Sequence, residues 1–301
     1  MFPHSLSPSR TADYLQCPLL YRLKTIDRIP DSPSVAAIRG TLVHTVLEKL
    51  FEITPGSRSV AAAEDIFSQA IDQLSETSPA EYELLLSDSE APVDSSRLAR
   101  HAINKVKPLL ETYFAMEDPN RLQPFAREMA VSVELTEDFA IRGFIDRVDK
   151  NLDGAVRVVD YKTGKAPSER FSSKAMFQMR FYALAWWRMT ETIPTMLQLM
   201  YLGNGKFLRY QPDERDLINT ENRILAIRRA IASSAENLDF PPAPSTLCNW
   251  CSYKKFCPAF DGTPPLFPDA NSWQSGTSLV EDSLRNALPD NGLADLSQPP
   301  E

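Results

Sequence analysis

Gly143-Phe-Ile-Asp146-Arg147-Val-Asp149 is followed, after Asn151-Leu-Asp-Gly154, by Val156-Arg-Val-Val-Asp160-Tyr161-Lys162-Thr-Gly164. The first stretch reads as the end of a strand from Phe139 to Asp149. The second reads as a strand from Ala155 to Lys162. Gly154 tolerates the positive φ that a tight hairpin demands, so the two are expected to pair antiparallel. If residues whose numbers add to 306 face each other, Asp146 lies opposite Asp160. A slip of one residue would put the two carboxylates on opposite faces. Asp160 and Lys162 are two apart and therefore share a face of their strand.

An isolated Asp-x-Lys is by default a solvated surface pair. Here Val156, Val158 and Val159 mark the strand as buried, and a buried charge needs a partner. Two adjacent carboxylates repel, so a divalent cation is their natural resident. Such a cation polarises a phosphate and activates water. Lys162 would orient that water or offset charge developing in the transition state.

Outward from this hairpin, Glu128 to Leu135 alternates like a strand. Helices are expected from Pro8 to about Lys24 behind a Ser7 cap, and over about Val35–Glu52, Arg97–Met116 and Ser172–Thr190. A second hairpin spans Met196–Leu202 and Lys206–Tyr210, and a long helix runs from Pro212 to about Leu238. Residues 54–125 read as a largely helical insertion. His44 lies one turn after Gly40 and one turn before Glu48. The expected fold is α/β, a mixed sheet flanked by helices, over residues 1–260. Residues 261–301 read as a disordered acidic tail.

The 301 residues carry a net charge of −8. The tail and residues 54–100 account for −6 each, which leaves the rest at +4. A local basic surface attracts phosphates even on an acidic protein. The bases cluster near the hairpin: Lys162, Lys165, Arg170, Lys174, Arg180 and Arg188. Others sit near the ends: Arg22, Lys24, Arg28, Lys254 and Lys255. No apolar run reaches the length of a membrane span, and the start lacks a secretory pattern. A cytoplasmic protein with no membrane partner is therefore expected.

The chain has four cysteines: Cys17, Cys248, Cys251 and Cys257. Reducing cytoplasm disfavours disulfides, and four thiols with none left over is the ligand count of a Cys₄ centre. Ligand type alone does not separate zinc from a [4Fe–4S] cluster.

Several motifs occur together and in order. They are Arg39-Gly40-Thr-Leu-Val-His44, Gly143-Phe-Ile-Asp146-Arg, Val159-Asp160-Tyr161-Lys162-Thr-Gly and Gln178-Met-Arg-Phe-Tyr182. This series resembles the PD-(D/E)xK nuclease family in its RecB-like form. Cys17-Pro18 and the Cys-x₂-Cys-x₅-Cys run resemble its iron–sulfur subset, as in AddB nuclease domains.

The resemblance implies a metal-dependent deoxyribonuclease using Mg²⁺ or Mn²⁺, with a [4Fe–4S] cluster clasping the two ends of the chain. It implies Asp146, Asp160 and the backbone carbonyl of Tyr161 as metal ligands. His44 would be a further ligand or an orienter, Lys162 the catalytic lysine and Glu128 an accessory acid. Gln178 and Tyr182 would face the site or the DNA.

It also implies exonuclease action on single-stranded DNA ends in repair or recombination. No phosphate loop of the Gly-x₄-Gly-Lys-Ser/Thr type occurs, so a helicase would be a separate partner. Rival readings are a nuclease of CRISPR spacer acquisition and a non-catalytic iron–sulfur DNA-binding scaffold.

Overall fold

The computed structural model describes residues 3–87, 95–168 and 172–268. Its centre is a six-stranded mixed sheet. The strands are β1 (Ser5–Leu6), β2 (Ala126–Thr136), β3 (Phe139–Lys150), β4 (Val156–Lys162), β5 (Met196–Tyr201) and β6 (Lys206–Tyr210). β2–β3, β3–β4 and β5–β6 pair antiparallel, whereas β1–β3 and β4–β5 pair parallel. The parallel step from β4 to β5 requires a crossover, which α7 (Ser172–Thr190) supplies.

The central strands alternate between two cores, as a pleat of period two requires. Val156, Val158, Leu197 and Leu199 join one core, built with α7 and α8 (Glu214–Glu236). Val159, Tyr161, Met200 and Leu202 join the other. This second core is built with α3 (Val35–Leu50), α4 (Val60–Thr77), α5 (Pro79–Ser87) and α6 (Ser95–Met116). Strands buried on both faces read as continuous apolar runs, which is why Val156-Arg-Val-Val looked buried in the sequence. The helices within residues 54–125 thus share the second core with α3 and one face of the sheet. Each aliphatic side chain so buried contributes roughly 1.5–3 kcal/mol.

The first expected helix is divided. α1 (Pro8–Gln16) ends at Cys17, whose backbone is extended at φ −165°. A four-residue α2 (Pro18–Tyr21) follows, and then a π-helical turn over Arg22–Ile26. Proline disfavours helical geometry in the residue before it and lacks an N–H, so Cys17-Pro18 forms a corner. The Ser7 side chain caps α1, accepting from the Arg10 N–H at 3.3 Å. β1 is too short for a sequence pattern to reveal. Of the expected tail, residues 269–301 lie outside the described residues.

Candidate active site

The β3–β4 register matches the sequence expectation, with Arg147 opposite Val159 and Val148 opposite Val158. The ladder ends at Arg147. Its continuation sets Asp146 across from Asp160. On the other side, Arg127 and Met129 of β2 face Arg147 and Ile145, so Glu128 lies across from Asp146. One row across three strands therefore carries Glu128, Asp146 and Asp160. Glu128 takes φ +42°. That conformation strains a side-chain-bearing residue, by roughly 1–3 kcal/mol, and such strain clusters at functional sites.

Where the ladder stops, side chains replace backbone pairing. The Tyr161 N–H donates to Asp146 Oδ2 at 2.8 Å. His44, from α3, approaches the same oxygen with Nδ1 at 3.3 Å. It also hydrogen-bonds the Tyr161 backbone and packs edge-on against the Tyr161 ring. His44, Glu128 and Asp146 each offer a ligand atom, all within 4.8 Å of one another.

Asp160 stands beside this triad and not within it. Lys162 Nζ lies 2.6 Å from Asp160 Oδ2. Gln178 from α7 links the pair: its Nε2 donates to Asp160 Oδ1 at 3.0 Å, and its Oε1 accepts from Lys162 at 3.1 Å. The same Nε2 reaches the Tyr182 hydroxyl at 3.4 Å. The expected convergence of Asp146 and Asp160 on one point is thus modified. Glu128 takes the near place, because the Lys162 ammonium and the Gln178 amide hold Asp160.

Electrostatics follow from crowding acids in a partly dry site. Burial first, then Glu48 and Asp160, lifts the Glu128 pKa from 4.5 to about 7. Burial and the neighbouring Asp160 raise Asp146 as well. Burial lowers the His44 pKa, favouring the neutral imidazole that ligates metals. Unrelieved negative charge of this kind is what a divalent cation neutralises. Two carboxylates, one imidazole and an adjacent backbone form an oxygen-rich set that suits Mg²⁺ or Mn²⁺.

Two glycines permit close approaches around the site. A Cβ on Gly143 would lie 2.9 Å from Tyr182 Cε1 and 3.5 Å from Pro8 Cδ. A Cβ on Gly203 would lie 2.7 Å from the Gly164 carbonyl. The hairpin after β5 can therefore brace the loop that follows Lys162. The Gly203 N–H donates to Gly164 O at 3.1 Å.

Arg147 is the residue that sequence reasoning overlooked. It is fully buried. Its guanidinium contacts Glu117 of the α6 C-terminal extension at 2.5 and 3.0 Å, Asp149 at 3.1 Å and the Tyr161 hydroxyl at 2.7 Å. Tyr161 is thus gripped by its ring hydroxyl on one side and by its N–H at Asp146 on the other.

The four cysteines line one cavity with Leu19, Leu23 and Tyr253. The Ala243 N–H donates to Cys17 Sγ at 3.4 Å, and the Ser245 N–H to Cys248 Sγ at 3.3 Å. The ends of the chain are also joined by Tyr253 Oη donating to Ile29 O at 3.0 Å and by Leu19 N–H donating to Pro241 O at 3.4 Å. No three of the sulfurs lie mutually within 4.8 Å.

Several expected phosphate-binding bases have partners inside the protein. Arg22 pairs with Asp27, Lys24 with Asp13 and Asp31, and Arg188 with Glu221. Arg170 and the side chain of Lys174 lie outside the described residues. Among the described residues, no helix is long and apolar enough to cross a membrane.

The PD-(D/E)XK nuclease superfamily model matches residues 5–258. The Gene 69 protein of Mycobacterium phage L5 is 25% identical over 287 residues, covering 84% of this chain and 96% of that protein. The Gene 69 protein of Mycobacterium phage D29 is 28% identical over 192 residues, covering 60% of this chain and 67% of that protein. One polypeptide of the ATP-dependent helicase/deoxyribonuclease of Streptococcus mutans is 26% identical over 167 residues. That match covers 54% of this chain and 14% of the streptococcal polypeptide.

Proposed function

The chain belongs to the PD-(D/E)XK nuclease superfamily, and from that premise we propose that it is a Mg²⁺- or Mn²⁺-dependent deoxyribonuclease shortening single-stranded DNA from its ends. The observation that carries the reading is the gathering of His44, Glu128 and Asp146 within 4.8 Å, beside the Asp160–Lys162 pair. His44, Glu128, Asp146, Asp160 and the Tyr161 carbonyl would hold the ion. When bound, the ion supplies Lewis-acid polarisation of the scissile phosphate and activation of water.

The protein's own groups do the rest. Lys162 brings a positive charge to phosphate oxygens as negative charge builds on them. Gln178 fixes both Lys162 and Asp160, so neither swings away. Tyr182 sets the near end of Gln178. Glu128 and Asp146 stay ready for a cation, because burial makes their bare charges costly.

We further propose that Cys17, Cys248, Cys251 and Cys257 hold a [4Fe–4S] cluster. All four line one cavity, and backbone N–H groups are aimed at two of the sulfurs, as in sites that stabilise thiolate ligands. The cluster would join the Cys17 corner to the C-terminal segment. A role in repair or recombination beside a separate helicase accords with the likeness to part of a helicase/deoxyribonuclease.

The test is anaerobic purification followed by incubation with Mg²⁺ or Mn²⁺ and end-labelled or circular DNA. Loss of linear single strands, with circles spared, is expected. Intact DNA of every form under both metals would refute the activity.

A further inference from the structure

β2 covers one edge of β3 along residues 139–148. The other edge is shared. β1 pairs with it at Ala140 and Ile141, and β4 from Arg147 onward. Between them, among the described residues, no strand pairs with residues 142–146. Five residues at about 3.4 Å each make an opening roughly 17 Å long in the middle of the sheet.

A cleft of about 500 Å³ occupies this opening. Arg142, Gly143 and Phe144 form one wall, and the first turn of α1, with Ser7, Ser9 and Arg10, faces them. The cleft ends at Asp146, Gln178 and Tyr182, so whatever fills it abuts the reacting centre. Gly143 keeps it open, since a Cβ there would press on Tyr182 and Pro8. Its chemistry is mixed in a telling way: the Arg10 guanidinium for an anion, and a half-buried phenyl ring for a flat apolar group. An alternating polyanion bearing rings is a nucleic-acid strand. The volume lies within the range that binds small organic molecules. A duplex, whose grooves alone measure about 12 and 6 Å across, is too broad to enter.

We propose that this window is a subsite for one or two unpaired nucleotides adjoining the scissile phosphate. Arg10 draws the backbone phosphate, and Phe144 offers the stacking face. The proposal rests on the nuclease reading for the placement of the scissile bond, but strand binding is measurable without cleavage.

The experiment is equilibrium binding of a fluorescent single-stranded oligonucleotide in EDTA, repeated over a range of salt. It compares the wild type with Arg10→Ala, Arg10→Lys and Phe144→Leu. Losing one phosphate contact lowers the slope of log affinity against log salt by about 0.7 for single strands. Arg10→Ala should show that loss, and Arg10→Lys should restore the slope. Phe144→Leu should bind about tenfold more weakly with the slope unchanged, as loss of one stacked base predicts.

An unchanged slope in Arg10→Ala, or wild-type binding of blunt duplex as tight as that of single strands, would overturn the subsite. If the binding losses appear while the wild type cleaves nothing with either metal, the subsite stands and the nuclease reading falls.

Discussion

Replacing Glu128 with glutamine isolates the electrostatic cost of gathering acids at the end of the β3–β4 ladder. The folded-state pKa of Glu128 is raised from 4.5 to about 7, first by burial and then by Glu48 and Asp160. Each pKa unit is worth about 1.36 kcal/mol, so the full penalty of ionising it approaches roughly 3 kcal/mol. Glu128 is only partly buried, and solvent screening reduces this to about 1–2 kcal/mol.

The sign follows from linkage. The group's contribution to stability is complete below pH about 4.5 and is lost as pH rises through about 7. Glutamine mimics the protonated acid. Near pH 4.5 the variant should therefore match the wild type. At pH 8 in EDTA it should be more stable by about 1–2 kcal/mol, a rise in Tm of roughly 2–8 °C for a domain of this size.

Adding Mn²⁺ should largely erase the difference. A ligand present at 100 times its Kd adds about 2.7 kcal/mol to a native state that binds it. Loss of one carboxylate that weakens binding tenfold removes about 1.4 kcal/mol of that gain. The assay is thermal unfolding of both proteins at the two pH values, with and without Mn²⁺. A variant less stable than the wild type at pH 8 in EDTA, or one with an undiminished Mn²⁺ response, would refute the reasoning.

Three further outcomes are expected. Asp160→Ala and Lys162→Ala should each lower cleavage at least about 100-fold while leaving the circular dichroism spectrum unchanged, because Asp160 would help hold the ion and Lys162 offsets charge building on the phosphate; quantitative cleavage kinetics would check this. Arg147→Met should cost about 3–5 kcal/mol in urea unfolding, since Glu117 and Asp149 lose their buried guanidinium. Cys17→Ser should yield colourless, less stable protein, whereas anaerobic wild type should carry about four irons per chain; iron and zinc analysis decides, and stoichiometric zinc without iron would remove the cluster while leaving the nuclease reading intact.

Much of this arrangement was legible in the sequence because it is local. The hairpin came from the turn ending at Gly154, and the register that sets Asp146 across from Asp160 was the one pairing that would put both carboxylates on one face. Gln178 and Tyr182 were marked by their place in the ordered motifs, one turn apart on an expected helix. What the sequence concealed depended on distant packing. Nothing in Arg147 signals burial, since a strand arginine is ordinarily solvated. Its partners Glu117 and Tyr161 come from elements 30 and 14 residues away. β1 has only two residues. The corner at Cys17 was foreshadowed by Pro18, and the proline rule prevailed over the continuing helical pattern of Leu19 to Lys24.

The location of the site follows from how the sheet divides. A fully paired sheet satisfies its backbone groups along the ladder and seals its two cores from each other. Here β3 pairs with β4 only from Arg147 onward, and the row of Glu128, Asp146 and Asp160 falls at that break. The gap lets His44 arrive from the α3 layer and Gln178 from the α7 layer, each touching an acid of the row. Neither helix could reach both carboxylates through an unbroken ladder. Arg147 anchors the last paired position, holding Tyr161 by its hydroxyl while Asp146 holds it by its N–H. The fold thus makes its opening at a point braced on both sides, which is how acids that repel one another stay in place until a cation and a phosphate arrive.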